Sequence, residues 1–285
     1  MMSLILAGWL QPFGQLSVPA EYRKPCGGAT NCSLLEAWLS YNESHMMMHH
    51  TTMAAPYERH LPPRFGKGEI RLFEMGVQSG GSARMWKQWY GDRLHYVGAD
   101  INPECKRSES QSENIYVEIG SQLDRAFLAE VCQKHGPFDI VVDDAAHRVE
   151  MIISALNVLW PNNTCMKQPS QYWIEDTHTM VMPKYTRNPA DFYNIVGEAF
   201  WSMHHQWAYK TNAGYPNKQR LHPLWLDLVQ EVHLYDSLIL LMRNPHSKGH
   251  QFTRGDNSIG YGKGHPILQG KAALQFRHQG VSVGN

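Results

Sequence analysis

The sequence predicts an α/β protein built on a mainly parallel seven-stranded sheet with an antiparallel final strand. Three observations predict it. Short apolar runs alternate with amphipathic ones from Glu69 to Glu175, the spacing that parallel strands joined by crossover helices require. Two further runs, 230–235 and 238–242, meet so tightly at Asp236 and Ser237 that they pair antiparallel. Hydrophobic residues make up 42% of the 285 and charged ones 18%, with 9 Trp, 13 Tyr and 14 Met, enough bulk for a sizeable core and too apolar for a disordered chain.

Taken in order, residues 1–66 read as an N-terminal cap or extension. They hold a helix-like run at 33–41 and the tract His45-Met46-Met47-Met48-His49-His50. That tract fits either a metal-binding cluster or a helix capping the core with its methionines inward; with no carboxylate inside it, the helix is the expectation. Strands follow at 70–74, 95–100, 115–120, 138–143 and 172–175. Helices separate them at 82–90 (Met85, Trp86 and Trp89 on one face), 124–134 (Phe127, Leu128 and Val131) and 149–159. A long helix at 191–209 leads to the last two strands. The main domain is thus 67–245, and residues 246–285, rich in Gly, His, Lys and Asn, read as a tail or lid.

The 26 basic and 26 acidic side chains cancel to a net charge of zero. No positive excess is available to displace counterions, so neither nucleic acid nor an anionic membrane is an expected partner. No stretch approaches the ~18 apolar residues of a spanning helix. Five cysteines are few and odd in number. Cys26 and Cys32 flank a Gly-rich loop and can pair, while the other three are scattered without zinc-site spacing, so no disulfide scaffold is expected. The apolar opening is short and lacks a basic flank, three Asn-X-Ser/Thr triplets (Asn31, Asn42, Asn162) are of a kind that arises often by chance, and compartment and self-association stay open.

Chemistry concentrates at strand ends. The first βα turn, Glu74-Met75-Gly76-Val77-Gln78-Ser79-Gly80-Gly81-Ser82, lets backbone pass close to a ligand and points a helix N-terminus at an anionic group; a tight ligand-free junction explains it equally. Asp100 ends the second strand about 20 residues on, where a carboxylate meets ribose hydroxyls or caps a turn. Gln122 lies just past the third strand. The fourth and fifth strands end in Asp143-Asp144-Ala145-Ala146-His147 and Glu175-Asp176-Thr177-His178. If those strands are neighbours, about 4.8 Å apart, Asp144, Glu175 and Asp176 converge and repel one another unless a cation intervenes. Oxygen-only ligation suits Mg²⁺ or Mn²⁺, although single acids of the set also serve as caps or cofactor contacts, Asp143 above all. His147 is the candidate general base and His178 its competitor.

Together these residues resemble a known family. The runs 57–60 (Tyr57-Glu58-Arg59-His60), 73–82, Met85-Trp86, 97–105, 124–127, 136–144, His147, 174–179 and 232–237 are similar, in order and spacing, to the metal-dependent sugar O-methyltransferases of macrolide pathways, the mycinamicin and macrocin enzymes. The likeness covers 57–243. It implies a Rossmann-like class I methyltransferase fold, S-adenosylmethionine as cofactor and Mg²⁺ (or Mn²⁺) holding a sugar diol. It further implies Asp144, Glu175 and Asp176 as metal ligands, His147 as base, and Glu74, Gly76, Asp100, Gln122 and Asp143 lining the cofactor pocket beside Gly80, Gly81 and Ser82. Two departures stand out: Ala145-Ala146 replaces the usual Gly-Ser, and 166–170 replaces a Pro-Gly-Gly turn. The expected activity is O-methylation of a small-molecule hydroxyl, most simply on a sugar; a catechol- or phenol-type methyltransferase and a non-catalytic cofactor-binding protein are the alternatives.

Overall fold

A computed structural model describes residues 32–185, 195–197, 199–200, 202–204 and 228–244. Its strands are β1 (Ile70–Met75), β2 (Leu94–Asp100), β3 (Ile115–Ile119), β4 (Phe138–Asp143), β5 (Met166–Ile174), β6 (Val229–Tyr235) and β7 (Leu238–Arg243). They form one seven-stranded sheet in the order β3-β2-β1-β4-β5-β7-β6. β3 to β5 run parallel, and β7 is antiparallel to both β5 and β6. The expected fold is present.

Alternation of side chains explains why both faces of the sheet are covered. On β1, Ile70 and Leu72 face one buried cluster and Phe73 and Met75 the other. The Phe73 face packs against α4 (Arg125–His135) and α5 (Val149–Leu159); the Leu72 face packs against α1 (Leu34–Leu39), α2 (Thr51–His60) and α3 (Gly81–Tyr90). Local caps set the helix starts. Ser33 and Glu36 form a reciprocal capping box before α1, and Asp124 accepts from the amides of Ala126 and Phe127 before α4.

Three expectations need correction. The tract 45–50 has no regular secondary structure: Met46 and Met48 are exposed, and the helix begins only at Thr51. β5 starts at Met166, well before 172, because its first residues still pair with β4 through a register shift. A disulfide joins Cys132 to Cys165, brought together because parallel pairing lays the start of β5 beside the end of α4. The Cys26–Cys32 pairing and the tail 246–285 fall outside the described residues. So does most of the 191–209 helix, of which 195–197, 199–200 and 202–204 are helical. Among the described residues no helix is long and apolar enough to cross a membrane.

Candidate active site

β1 lies between β2 and β4, so strand order reverses there, and ligands of open α/β sheets bind outside the C-terminal strand ends at such a reversal. Gly76 closes β1 at φ +102°, and a side chain there would collide with the Asp144 carbonyl. Gly80 (φ +80°) packs against the Ser108 side chain and Gly81 against the Met46 backbone. Close packing alone therefore demands these three glycines.

The acids around this turn are hydrogen-bonded within the protein. Asp100 Oδ2 accepts from the amides of Val77 and Gln78, both at 3.0 Å, and Oδ1 from that of Asn102 at 2.8 Å. Glu74 is buried and accepts from Ser82 Oγ (2.7 Å) and Tyr96 Oη (2.6 Å). Burial pushes its carboxyl up to about 7, and the two hydroxyls only partly offset this. Asp143, also buried, accepts from Gln122 Nε2 (2.7 and 2.9 Å) and Tyr172 Oη (2.9 Å); burial raises it to about 6. Gln122 Oε1 is buried with no hydrogen-bond partner among the described residues. That orphaned acceptor fits a ligand carrying an N–H group, as the adenine amine of the implied cofactor does.

The rim of β4 and β5 differs. Parallel pairing sets Asp143 opposite Ile174, so Asp144 and Glu175 leave adjacent strand ends. Asp144, His147 and Asp176 each place a ligand atom within 4.8 Å of the others. Burial raises the Asp144 carboxyl well above its ordinary range, and repulsion from Glu175, Glu74, Asp176 and Asp143 adds to it. His147 sits at φ +52° with Nε2 3.6 Å from Asp176 Oδ2. Burial lowers its pKa despite the opposing pull of Asp176 and Glu175, and its Nδ1 is buried without a hydrogen bond. Crowded carboxylates beside an imidazole whose Nδ1 has no hydrogen bond fit a hard divalent cation, whose charge would relieve the repulsion.

Glu175 stands outside this group. Its Oε1 accepts from Tyr57 Oη at 2.5 Å, and its Oε2 lies 3.4 Å from His49 Nδ1, with both side chains almost wholly buried. Burial would raise the Glu175 carboxyl, but His49 and Tyr57 hold it below its ordinary value. His178, the competing base, has Nδ1 2.5 Å from Ser237 Oγ. Sequence reasoning missed His49, His50 and Tyr57 as site residues. The composition of the His/Met tract and the presence of Tyr57 in the run 57–60 were the available signals.

No protein-family model matches the chain. It is 27% identical over 206 residues to demethylmacrocin O-methyltransferase of Streptomyces fradiae, covering 68% of this chain and 49% of that protein. It is 29% identical over 179 residues to the 8-demethyl-8-alpha-L-rhamnosyl tetracenomycin-C 2'-O-methyltransferase of Streptomyces olivaceus, covering 58% and 44%. Mycinamicin VI 2''-O-methyltransferase of Micromonospora griseorubida is 31% identical over 136 residues, 45% of this chain and 32% of its own. The chain thus spans about half the length, or less, of these curated relatives. Among solved structures, the MycE methyltransferase of the mycinamycin pathway in complex with Mg, SAH and mycinamycin VI matches with a TM-score of 0.63 at 22% identity, over 79% of this chain and 57% of that one. The fold is that of the class I methyltransferases, and the expected resemblance to the macrolide-pathway enzymes holds in sequence.

Proposed function

We propose that the chain is an S-adenosylmethionine-dependent O-methyltransferase acting on a hydroxyl of a sugar or glycosylated small molecule. We take residues 67–245 as the catalytic unit and 1–66 as an N-terminal cap or extension, whose described part brings Tyr57 and His49 to Glu175. The observation carrying this reading is the gathering of Asp144, His147 and Asp176 at two adjacent strand ends, in a chain similar to enzymes named for macrolide and rhamnosyl substrates.

Asp144 and Asp176, with Glu175 beside them, would hold Mg²⁺ or Mn²⁺. Such a cation supplies the charge that lowers an alcohol pKa of about 16 by several units, as it does for water. Bound S-adenosylmethionine supplies an electrophilic methyl group, and Glu74, Gly76, Gly80, Gly81, Ser82, Asp100, Gln122 and Asp143 would line its pocket. His147 does the proton work. Its lowered pKa keeps Nε2 neutral and able to accept a proton near pH 7, and Asp176 and Glu175 then stabilise the imidazolium. Orientation of the acceptor oxygen toward the methyl carbon supplies much of the remaining rate.

A screen of glycosylated acceptors by mass spectrometry is expected to register the gain of one methyl group. His147→Ala should lower turnover of an alcohol by roughly 10² to 10⁴-fold. It should only dent turnover of a phenol, which ionises near pKa ~10 without such help. No turnover with any acceptor, together with S-adenosylmethionine binding indifferent to Mg²⁺ in calorimetry, would overturn the reading.

A further inference from the structure

We propose a second divalent-cation site, formed by His50, Asp176 and His178, which takes a nitrogen-preferring transition metal of the zinc or cobalt kind. One ligand atom from each of the three lies within 4.8 Å of the others. The inference goes beyond the proposed magnesium site and shares only Asp176 with it.

Asp176 is placed to serve both sides. It ends the fifth-strand rim in a left-handed conformation (φ +52°, ψ +37°) and opens the short 3-10 turn Thr177–Val181, which carries His178. Its Oδ1 lies 3.3 Å from His50 Nε2, and its Oδ2 lies 3.6 Å from His147 Nε2. The two oxygens of one carboxylate thus address two different imidazoles, the arrangement of a bridging ligand.

His178 supplies an independent observation. Its Nδ1 is 2.5 Å from Ser237 Oγ in the β6–β7 turn. A ligating histidine ordinarily donates its second ring N–H to an oxygen, which fixes the tautomer and frees Nε2 for a metal. Ser237 occupies that supporting position. The His50 and His178 rings lie 5.5 Å apart, centroid to centroid, nearly perpendicular. His50 is 56% exposed, which leaves open coordination positions toward solvent.

Donor chemistry separates the two sites. Two imidazoles and one carboxylate select zinc, cobalt or iron(II) over magnesium, whereas the Asp144 side is dominated by carboxylate oxygens. The His/Met tract also gains a role, through His50. It holds no carboxylate of its own, and the fold brings one to it from Asp176, across more than a hundred residues of chain.

The test uses the full chain, free of any polyhistidine tag, in saturating Mg²⁺ so that the oxygen-rich site is filled. Co²⁺ is titrated in while its visible d–d absorption is followed, and bound metal is counted by mass spectrometry. Wild type should retain one cobalt per chain with a ligand-field band. His50→Ala and His178→Ala should each weaken it at least tenfold, while Asp144→Asn and His45→Ala leave it in place. His50 is exposed, so its replacement reads the site even if His178→Ala disturbs the fold. No cobalt on the wild type, or cobalt lost with Asp144→Asn and indifferent to His50 and His178, would overturn the proposal. Failure of the magnesium reading would instead appear in the calorimetry with Mg²⁺ alone.

Discussion

The first βα turn and the rim of β4 and β5 both gather buried and half-buried acids, yet they are opposite in kind. Around the turn, Asp100 accepts three backbone amides and Glu74 two hydroxyls, so the carboxylates are matched by the protein itself. At the rim, Asp144 faces four other acids and the His147 Nδ1 finds no partner. The turn is largely satisfied as folded; the rim holds repulsion that a proton on Asp144 or a bound cation would release. A region that satisfies itself holds shape, whereas one that cannot is where a ligand gains the most.

Asp144→Asn should sharpen that contrast most. It removes a charge the fold disfavours, so in the absence of divalent cations the variant should resist urea better than wild type. Methyl transfer should meanwhile fall on the order of a thousandfold, because a cation is worth several kcal/mol to such a reaction. Magnesium should raise the thermal midpoint of wild type and not that of the variant. A variant both less stable and fully active would erase the distinction between rim and turn.

Glu74 is the exception inside the turn, and pH exposes it. Its folded pKa of about 7 lies above the ordinary 4.5, so the folded protein holds an extra proton between those values. The stability it contributes is complete below pH 4.5 and is lost as pH rises through 7. Without cofactor, the urea stability of wild type relative to Glu74→Gln should fall by roughly 2–3 kcal/mol between pH 5 and pH 8.5. Parallel profiles for the two proteins would mean that the hydroxyls of Ser82 and Tyr96 already stabilise the charge in full.

The smallest effect belongs to Asp100. Asparagine keeps one acceptor oxygen and turns an amide toward the other backbone donors, costing about 1 kcal/mol of stability measured by urea unfolding. A loss several times larger would mean that the turn, like the rim, is under strain that a ligand relieves.

Much of this contrast could be read from residue order. The strand-end acids, the glycine turn and the seven strands all follow local periodicity, and β4 and α5 fall at the expected residues. The tract 45–50 was misread because composition shows methionines without showing what they would pack against. In the fold the tract is not helical, Gly81 meets Met46 at its backbone, and His49 and His50 reach the rim. The early residues of β5 were missed because Gln168 and Pro169 break the apolar pattern while the backbone still pairs.

Alternation, capping residues and strand-end chemistry act over a few residues, so the α/β class, the order of elements and the candidacy of Asp144, His147, Glu175 and Asp176 were open to inspection in one dimension. Folding in three dimensions chose the partners: Tyr57 and His49 for Glu175, Cys132 for Cys165, and His50 for Asp176. Those choices depend on how layers pack across separations of 33 to 126 residues, and neighbouring side chains carry no trace of a contact that distant.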